Sequence, residues 1–128
     1  MITYVWIGIG SAIGGMSRYW CSGVVTRLFG ETLPWGTIVV NIFGSLIIGF
    51  IATLIPPDSR IFSIHDTRNF LMIGVLGGYT TFSAFSLETI NLAREGHWFS
   101  AVLNIFLSVF LCLIAVWVGH IAANTITR

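Results

Sequence analysis

Four apolar stretches, each long enough to cross a lipid bilayer, make up almost the whole of this chain. A membrane-spanning helix needs about 20 mostly apolar residues, and the sequence supplies such runs at about 3–27, 34–55, 69–94 and 98–123. Only 9% of the 128 residues are charged, against about 25% in a water-soluble domain. We therefore predict a single all-α integral membrane domain over residues 1–128, with four transmembrane helices.

The third stretch carries the residues that are least compatible with lipid. Residues 74–88, GVLGGYTTFSAFSLE, combine adjacent glycines with a run of hydroxyls and one carboxylate. Irregular backbone survives inside a bilayer only where protein buries it or water lines it, and Gly77 and Gly78 permit a break without β-carbon strain. The pattern predicts that the third helix is broken at mid-membrane and that the functional residues lie there.

Polar side chains recur at helical spacing in the second and fourth stretches. Four-residue intervals separate two sets of side chains, namely Thr37, Asn41 and Ser45 on the second stretch and Asn104, Ser108 and Cys112 on the fourth. Such stripes either hold helices together or line a wet path, and periodicity does not choose between these functions. Asn41 stands out because a buried amide needs hydrogen-bond partners.

Two ionisable residues fall inside predicted spans. A carboxylate inside a membrane span usually has a function, so Glu88 is either a functional residue or the partner of a nearby donor. The candidate donors are Thr37, Asn41 and Arg18. Arg18 is costly in lipid and is expected to attract anions in an aqueous vestibule, or else to snorkel or pair structurally. From spacing alone, Phe82 and Phe85 share a helix face, as core aromatic pairs usually do.

The basic residues favour no orientation of the chain in the membrane. With four spans, the longest loop (56–68) and both termini share one side, so Arg60, Arg68 and Arg128 oppose Arg27 and Arg94. An excess of one basic residue scarcely decides orientation. Small residues four apart, at Gly10–Gly14, Ser45–Gly49 and Gly74–Gly78, either permit close contacts between subunits or serve contacts within one subunit. We predict a chain that inserts both ways round and forms an antiparallel, dual-topology homodimer.

No set of residues in the chain resembles catalytic machinery. The sequence has no Ser-His-Asp set, HExxH motif, phosphate loop or cysteine-rich metal site, and its net charge of +1 offers no basic patch for nucleic acid. We therefore expect transport rather than an enzyme. Amide and hydroxyl donors, Arg18 and the partly positive edges of phenylalanine rings favour a small, hard anion over a large cation.

The motifs GGYTTFSAFSLE (77–88), GTIVVNIFGS (36–45) and SRYW (17–20) closely resemble the Fluc/CrcB family of fluoride channels, over essentially the whole chain. The resemblance implies a fluoride-selective channel of the bacterial inner membrane that gives passive efflux of F⁻ and lowers its cytoplasmic toxicity. It also implies an antiparallel homodimer with two parallel pores.

The resemblance implies roles for individual residues. Phe82 and Phe85 present their ring edges to the ion, and Asn41 donates to it. The remaining polar positions of the family correspond to Thr37, Ser83 and Glu88 along the pore, Asn104, Ser108 and Cys112 on the fourth span, and Arg18 at the vestibule.

A structural Na⁺ at the dimer interface is also implied, held by the backbone carbonyls of Gly77 and Thr80 from both subunits, since a hard cation takes oxygen ligands. Two residues depart from the family pattern. Ala84 replaces a threonine, and Cys112 replaces a residue that more often carries a hydroxyl.

Two other functions remain as alternatives. A small dual-topology exporter of lipophilic multidrug cations has a similar size, but such pumps place an essential carboxylate in the first span, where this chain has Arg18. In a membrane scaffold that transports nothing, every polar stripe would serve helix packing.

Overall fold

The computed structural model describes residues 1–58 and 62–128, with side chains described for 1–58 and 65–128. Over these residues the chain is helical and contains no strand, so the predicted all-α class is confirmed. The elements in chain order are α1 (Ile2–Phe29), α2 (Trp35–Leu54), α3 (Phe62–Arg68), a π-helical segment (Asn69–Leu76), α4 (Gly77–Tyr79), α5 (Phe82–Arg94) and α6 (Trp98–Thr127).

Three helices among the described residues are long and apolar enough to cross a membrane, by length and composition. They are Trp35–Leu54, His65–Arg94 and Trp98–Thr127. α1 has sufficient length at 28 residues but is not among them, because its glycines, serines and arginines dilute the apolar residues. The structure thus supports three of the four predicted spans, and the first stays a prediction.

The prediction of a loop over 56–68 is wrong for residues 62–68, which are helical. α3 begins at Phe62 and continues directly into the π-helical segment. Polar residues such as Asp66 suggested a loop, but they do not break a helix; Asp66 instead accepts a hydrogen bond from the Thr3 hydroxyl at 3.4 Å. Arg60, which counts toward the predicted charge balance, lies outside the described residues.

α1 runs in the same direction as the third helical stretch and contacts it closely. Thr3 meets Asp66, Trp6 packs edge-on against Phe70, and a Cβ on Gly14 would collide with the Val75 carbonyl. A Cβ on Gly10 or Gly78 would also collide with backbone atoms, and one on Gly74 would be tightly packed at 3.1 Å from the Ile7 carbonyl. Two of the small-residue pairs therefore serve packing within one subunit, the second of the two possibilities left open by their spacing.

α2 and α6 form a second close pair and run in the same direction, since Asn41 and Ser108 line one cavity and, farther along both helices, Thr53 Oγ1 lies 2.8 Å from His120 Nδ1. Gly49 lies against the Val116 carbonyl, and Gly119 against the Leu46 carbonyl, so each glycine admits the other helix's backbone. The third small-residue pair, which includes Gly49, is thus also used within the chain. The two helix pairs run in opposite directions, since Gly36 at the start of α2 packs against Ser22 near the end of α1.

Candidate functional site

Two non-helical residues separate α4 from α5. Thr80 (φ −81°, ψ 157°) and Thr81 (φ −151°, ψ 116°) are extended, and the helix resumes at Phe82. The π-helical segment leads up to this point, with the Gly77 N–H donating to the Met72 carbonyl five residues back. The irregular backbone is therefore Thr80 and Thr81, not the adjacent glycines expected from the sequence, because Gly77 and Gly78 are helical in α4. The polar groups of the extended residues need partners from elsewhere.

Asn41 on α2 supplies those partners. Its Oδ1 accepts from the Thr81 N–H at 2.8 Å, and its Nδ2 donates to the Thr81 carbonyl at 2.9 Å. Asn41 thus gives the Thr81 N–H an acceptor that the interrupted helix does not supply, and it adds a donor to the Thr81 carbonyl, which as the N-cap also accepts the first hydrogen bond of α5. Because an amide nitrogen carries two protons, one N–H of Asn41 remains for another acceptor.

Thr81 also starts α5 and so sets the positions of the two phenylalanines. Its Oγ1 accepts from the Ala84 N–H at 3.1 Å, an N-cap bond that satisfies one of the first free donors of the helix. The rings of Phe82 and Phe85 then lie on one side of α5 with centroids 5.3 Å apart and planes at 48°. Phe85 is 9% exposed, whereas Phe82 is 77% exposed and projects away from the chain.

A cavity of about 370 Å³ lies on the phenylalanine side of α5. It brings together predicted residues from three helices with backbone of the break, and none of the described residues that line it is charged. Its polar and aromatic lining comprises Asn41, Ser45, Thr80, Thr81, Phe82, Phe85, Ser108 and Cys112. An uncharged lining of this kind can bind an ion through hydrogen bonds and still release it.

The other predicted residues lie on the opposite side of α5. Arg18, Thr37, Ser83 and Glu88 line a second cavity of about 990 Å³, and Thr81 borders both cavities. Thr37 is the partner of Glu88 among the donors considered above, with Oγ1 donating to Oε1 at 2.8 Å. The second carboxylate oxygen of Glu88 is buried with no partner among the described residues.

Asn104 has a different environment from the rest of its stripe. It is 1% exposed and contributes to neither of these two cavities, whereas Ser108 and Cys112 line the smaller one. Ser108 Oγ donates to Asn104 Oδ1 at 3.3 Å. The predicted track on α6 therefore consists of two lining residues and one buried polar residue behind them.

Sequence reasoning missed Thr89, the partner of Asn104. Asn104 Nδ2 donates to Thr89 Oγ1 at 2.8 Å, and Thr89 Oγ1 donates to the Phe85 carbonyl at 2.7 Å. Thr89 lies four residues after Phe85, so helical spacing places it on the same face as the aromatic motif. A threonine within a span commonly bonds only to the carbonyl four residues back, however, and so gave no reason to expect a second partner.

The backbone of the break also fits the predicted sodium ligands. The N–H groups that would satisfy the Gly77 and Thr80 carbonyls in a continuous helix belong to Thr81 and Ala84, and both are directed elsewhere, to Asn41 Oδ1 and to Thr81 Oγ1. Carbonyls released in this way are suitable ligands for a hard cation.

Fold and site together define a small helical membrane protein in which polar side chains line cavities beside two extended residues, the construction of a protein through which a solute passes. A family model described as CrcB-like protein, Camphor Resistance (CrcB), matches residues 5–120. The chain belongs to this family.

Similar proteins from three bacteria agree with that assignment. The chain is 52% identical over 127 residues to a relative from Rhodospirillum rubrum (99% of this chain, 98% of the relative). It is 51% identical over 128 residues to one from Paramagnetospirillum magneticum (100% of both) and 54% identical over 123 residues to one from Opitutus terrae (96% and 93%). Each of these relatives is named a fluoride-specific ion channel FluC, which is not an enzyme.

Proposed function

We propose that this chain is a fluoride-selective channel that conducts F⁻ passively across the bacterial inner membrane. The observation that carries the proposal is the uncharged cavity in which one free amide N–H, hydroxyls and two phenyl rings meet. The whole-length similarity to relatives named as fluoride-specific channels agrees with it.

The chemistry of fluoride explains this lining. The ion is small and strongly hydrated, so a narrow path must replace its water with several moderate donors from which it can also leave. The unused N–H of Asn41, the Ser108 hydroxyl and the ring edges of Phe82 and Phe85 are such donors. Chloride is larger and fails on both size and donor spacing.

The larger cavity is proposed as the aqueous vestibule. Arg18 raises the local concentration of anions there by its charge, and Ser83 offers a hydroxyl next to the break. Thr37 holds Glu88 by a hydrogen bond, which keeps the carboxylate in a fixed position beside the path. Arg18 and Glu88 therefore act at the entrance rather than at the narrow part of the path.

A second copy of the chain is needed to complete the pore. Phe82 is 77% exposed in the single chain, so an aromatic ring assigned to the ion lacks cover on its outer side. We propose an antiparallel, dual-topology homodimer in which the partner covers this ring, with four spans per chain and the third broken at mid-membrane. The near balance of basic residues across the membrane supports dual topology.

A structural Na⁺ is proposed at the axis of that dimer. The carbonyls of Gly77 and Thr80 from each subunit would hold it, and the ion would neutralise carbonyl dipoles that the break leaves without N–H partners. Sodium retained by the purified dimer after extensive dialysis, measured by atomic emission, tests this assignment independently of flux.

Passive conduction is sufficient for a protective function. Hydrofluoric acid enters a cell from acidic surroundings, ionises in the neutral cytoplasm and is trapped there as F⁻. A channel lets the anion leave down its electrochemical gradient, and this lowers the cytoplasmic concentration without any energy source.

Fluoride efflux from liposomes containing the purified protein, followed with a fluoride electrode, tests the proposal. Rapid loss of F⁻ that needs no proton gradient, together with retention of Cl⁻ in matched liposomes, is the expected result. Proton-coupled uptake of a lipophilic cation would instead identify the multidrug exporter. If neither fluoride nor the cation is transported, the membrane scaffold becomes the remaining alternative and the proposed function is overturned.

A further inference from the structure

A directional chain of hydrogen bonds runs behind the aromatic residues. It begins at the Phe85 carbonyl, continues through the Thr89 hydroxyl and the Asn104 amide, and ends at the Ser108 hydroxyl. Thr89 and Asn104 are both buried, and Ser108 lines the cavity assigned to fluoride. The chain therefore links residues that water does not reach to a residue that the ion does reach.

The direction of every bond in this chain follows from its first member. A carbonyl oxygen can only accept, so the Thr89 proton is directed at Phe85 and the Thr89 oxygen is left as an acceptor. Nδ2 of Asn104 must then face Thr89, and this turns Oδ1 toward Ser108. Because Oδ1 can only accept, Ser108 is the donor in the last bond.

This polarity determines what Ser108 presents to the cavity. With its proton directed at Asn104 Oδ1, the serine offers lone pairs to the cavity, which repel an anion. The bond is long, at 3.3 Å, and so is weaker than a typical hydroxyl bond of about 2.7–2.8 Å. A fluoride ion can therefore draw the proton toward itself, but it must do so in competition with Asn104.

We propose that Thr89 is a positioning residue for ion conduction: by orienting the Asn104 amide, it keeps the Ser108 proton on Asn104 between ions and so limits how tightly the pore holds fluoride. The inference rests on the proposed function of the chain as a fluoride channel. Tight binding in a pore slows release, so a competing acceptor behind Ser108 favours rapid passage.

Removal of the Thr89 hydroxyl should reverse the amide. In Thr89→Val the Nδ2 group of Asn104 has no acceptor on α5, and buried N–H groups are left unpaired less often than carbonyl oxygens. The amide then turns so that Nδ2 donates to Ser108 Oγ. The Ser108 proton becomes free to point into the cavity permanently.

Conductance measured against fluoride concentration in planar bilayers tests this directly. Relative to wild type, Thr89→Val should lower both the half-saturating fluoride concentration and the maximal conductance, by about two- to tenfold each, the effect of one neutral hydrogen bond. Thr89→Ser keeps the hydroxyl and should restore both values. In the Ser108→Ala background, Thr89→Val should leave the half-saturating concentration unchanged, because the affected proton is gone.

Thr125→Val is the matched control. Among the described residues the Thr125 hydroxyl bonds only to the Ile121 carbonyl four residues back, at 2.9 Å on an exposed part of α6. The variant therefore loses the same kind of backbone bond without a bridge to a second helix. Its conductance should equal that of wild type.

The possible results separate three failures. A wild-type protein that conducts no fluoride overturns the proposed function itself. A conducting wild type with an unchanged half-saturating concentration in Thr89→Val, or with the same shift in the Ser108→Ala background, overturns the role of Thr89 alone. Failure of both Thr89→Val and Thr89→Ala to reconstitute, with Thr89→Ser normal, would assign the hydroxyl to stability and also overturn that role.

Discussion

At the scale of single residues, the central feature is that the hydrogen bonds of Asn41 to Thr81 also set the positions of Phe82 and Phe85. Asn41 uses its oxygen and one proton to hold Thr81, and only its second proton is available to an ion. The same hydrogen bonds hold the start of α5 and hence the two rings. In the proposed pore, one amide therefore has two functions, positioning of the irregular backbone and contact with the ion, and the ring edges are proposed to complete that contact.

Replacement of either aromatic ring tests its part in conduction. Phe82→Ile and Phe85→Ile are each expected to abolish fluoride flux in the liposome assay, because an aliphatic side chain has no partly positive edge. Both variants should still elute as folded dimers in size-exclusion chromatography. Phe99→Ile, at a highly exposed phenylalanine outside both cavities, is the control and should conduct normally. Wild-type flux in both cavity variants would refute the aromatic role.

At the scale of helices, the break between α4 and α5 depends on close packing of neighbouring elements. α1 approaches the stretch before the break so closely that Gly14 faces the Val75 carbonyl and the Tyr79 N–H directly. On the other side, Gly44 of α2 lies against Tyr79 and Thr80. Two helices therefore pack against the end of α4, and α2 also contacts the first extended threonine, Thr80.

An alanine at Gly14 should weaken this packing. The added Cβ would overlap backbone atoms that cannot rotate away, and forced overpacking costs about 1–3 kcal/mol. We expect Gly14→Ala to lower the thermal stability of the detergent-solubilised protein and to reduce flux. Gly8→Ala, on the same helix with no atom within 4 Å of the new Cβ, should keep both properties. Equal stability of the two variants would show that the α1 contact does not hold the break.

Helix periodicity predicted much of this arrangement but not how the site residues divide. Spacing alone placed Phe82 and Phe85 on one helix face, and both line one cavity. It could not show that Ser83 and Glu88 lie on the other side of α5, because that depends on where α1 and α6 pack. Thr89 was missed for the same reason, since its partner Asn104 is on a different helix.

At the scale of the whole molecule, a single chain leaves the proposed pore unfinished. Phe82 is largely exposed although its ring is assigned to the ion, and the predicted sodium site requires carbonyls from two subunits. The small-residue pairs that suggested a dimer are used within the chain, so the argument for dual topology depends on charge balance. The balance itself can be altered by mutation.

Opposite shifts of the charge balance should produce complementary proteins. Asp58→Lys changes the basic count from three against two to four against two, and so favours one orientation. The triple variant Glu31→Lys/Thr32→Lys/Glu95→Lys gives three against five, an excess of two in the opposite sense, and favours the other orientation. Expressed alone, each is expected to lose fluoride flux, because neither population supplies both members of an antiparallel dimer. Coexpression should restore flux, since each variant then supplies the orientation that the other lacks. Full flux from Asp58→Lys alone, with its C-terminal tag accessible from only one side, would mean that parallel chains conduct and would contradict the antiparallel dimer.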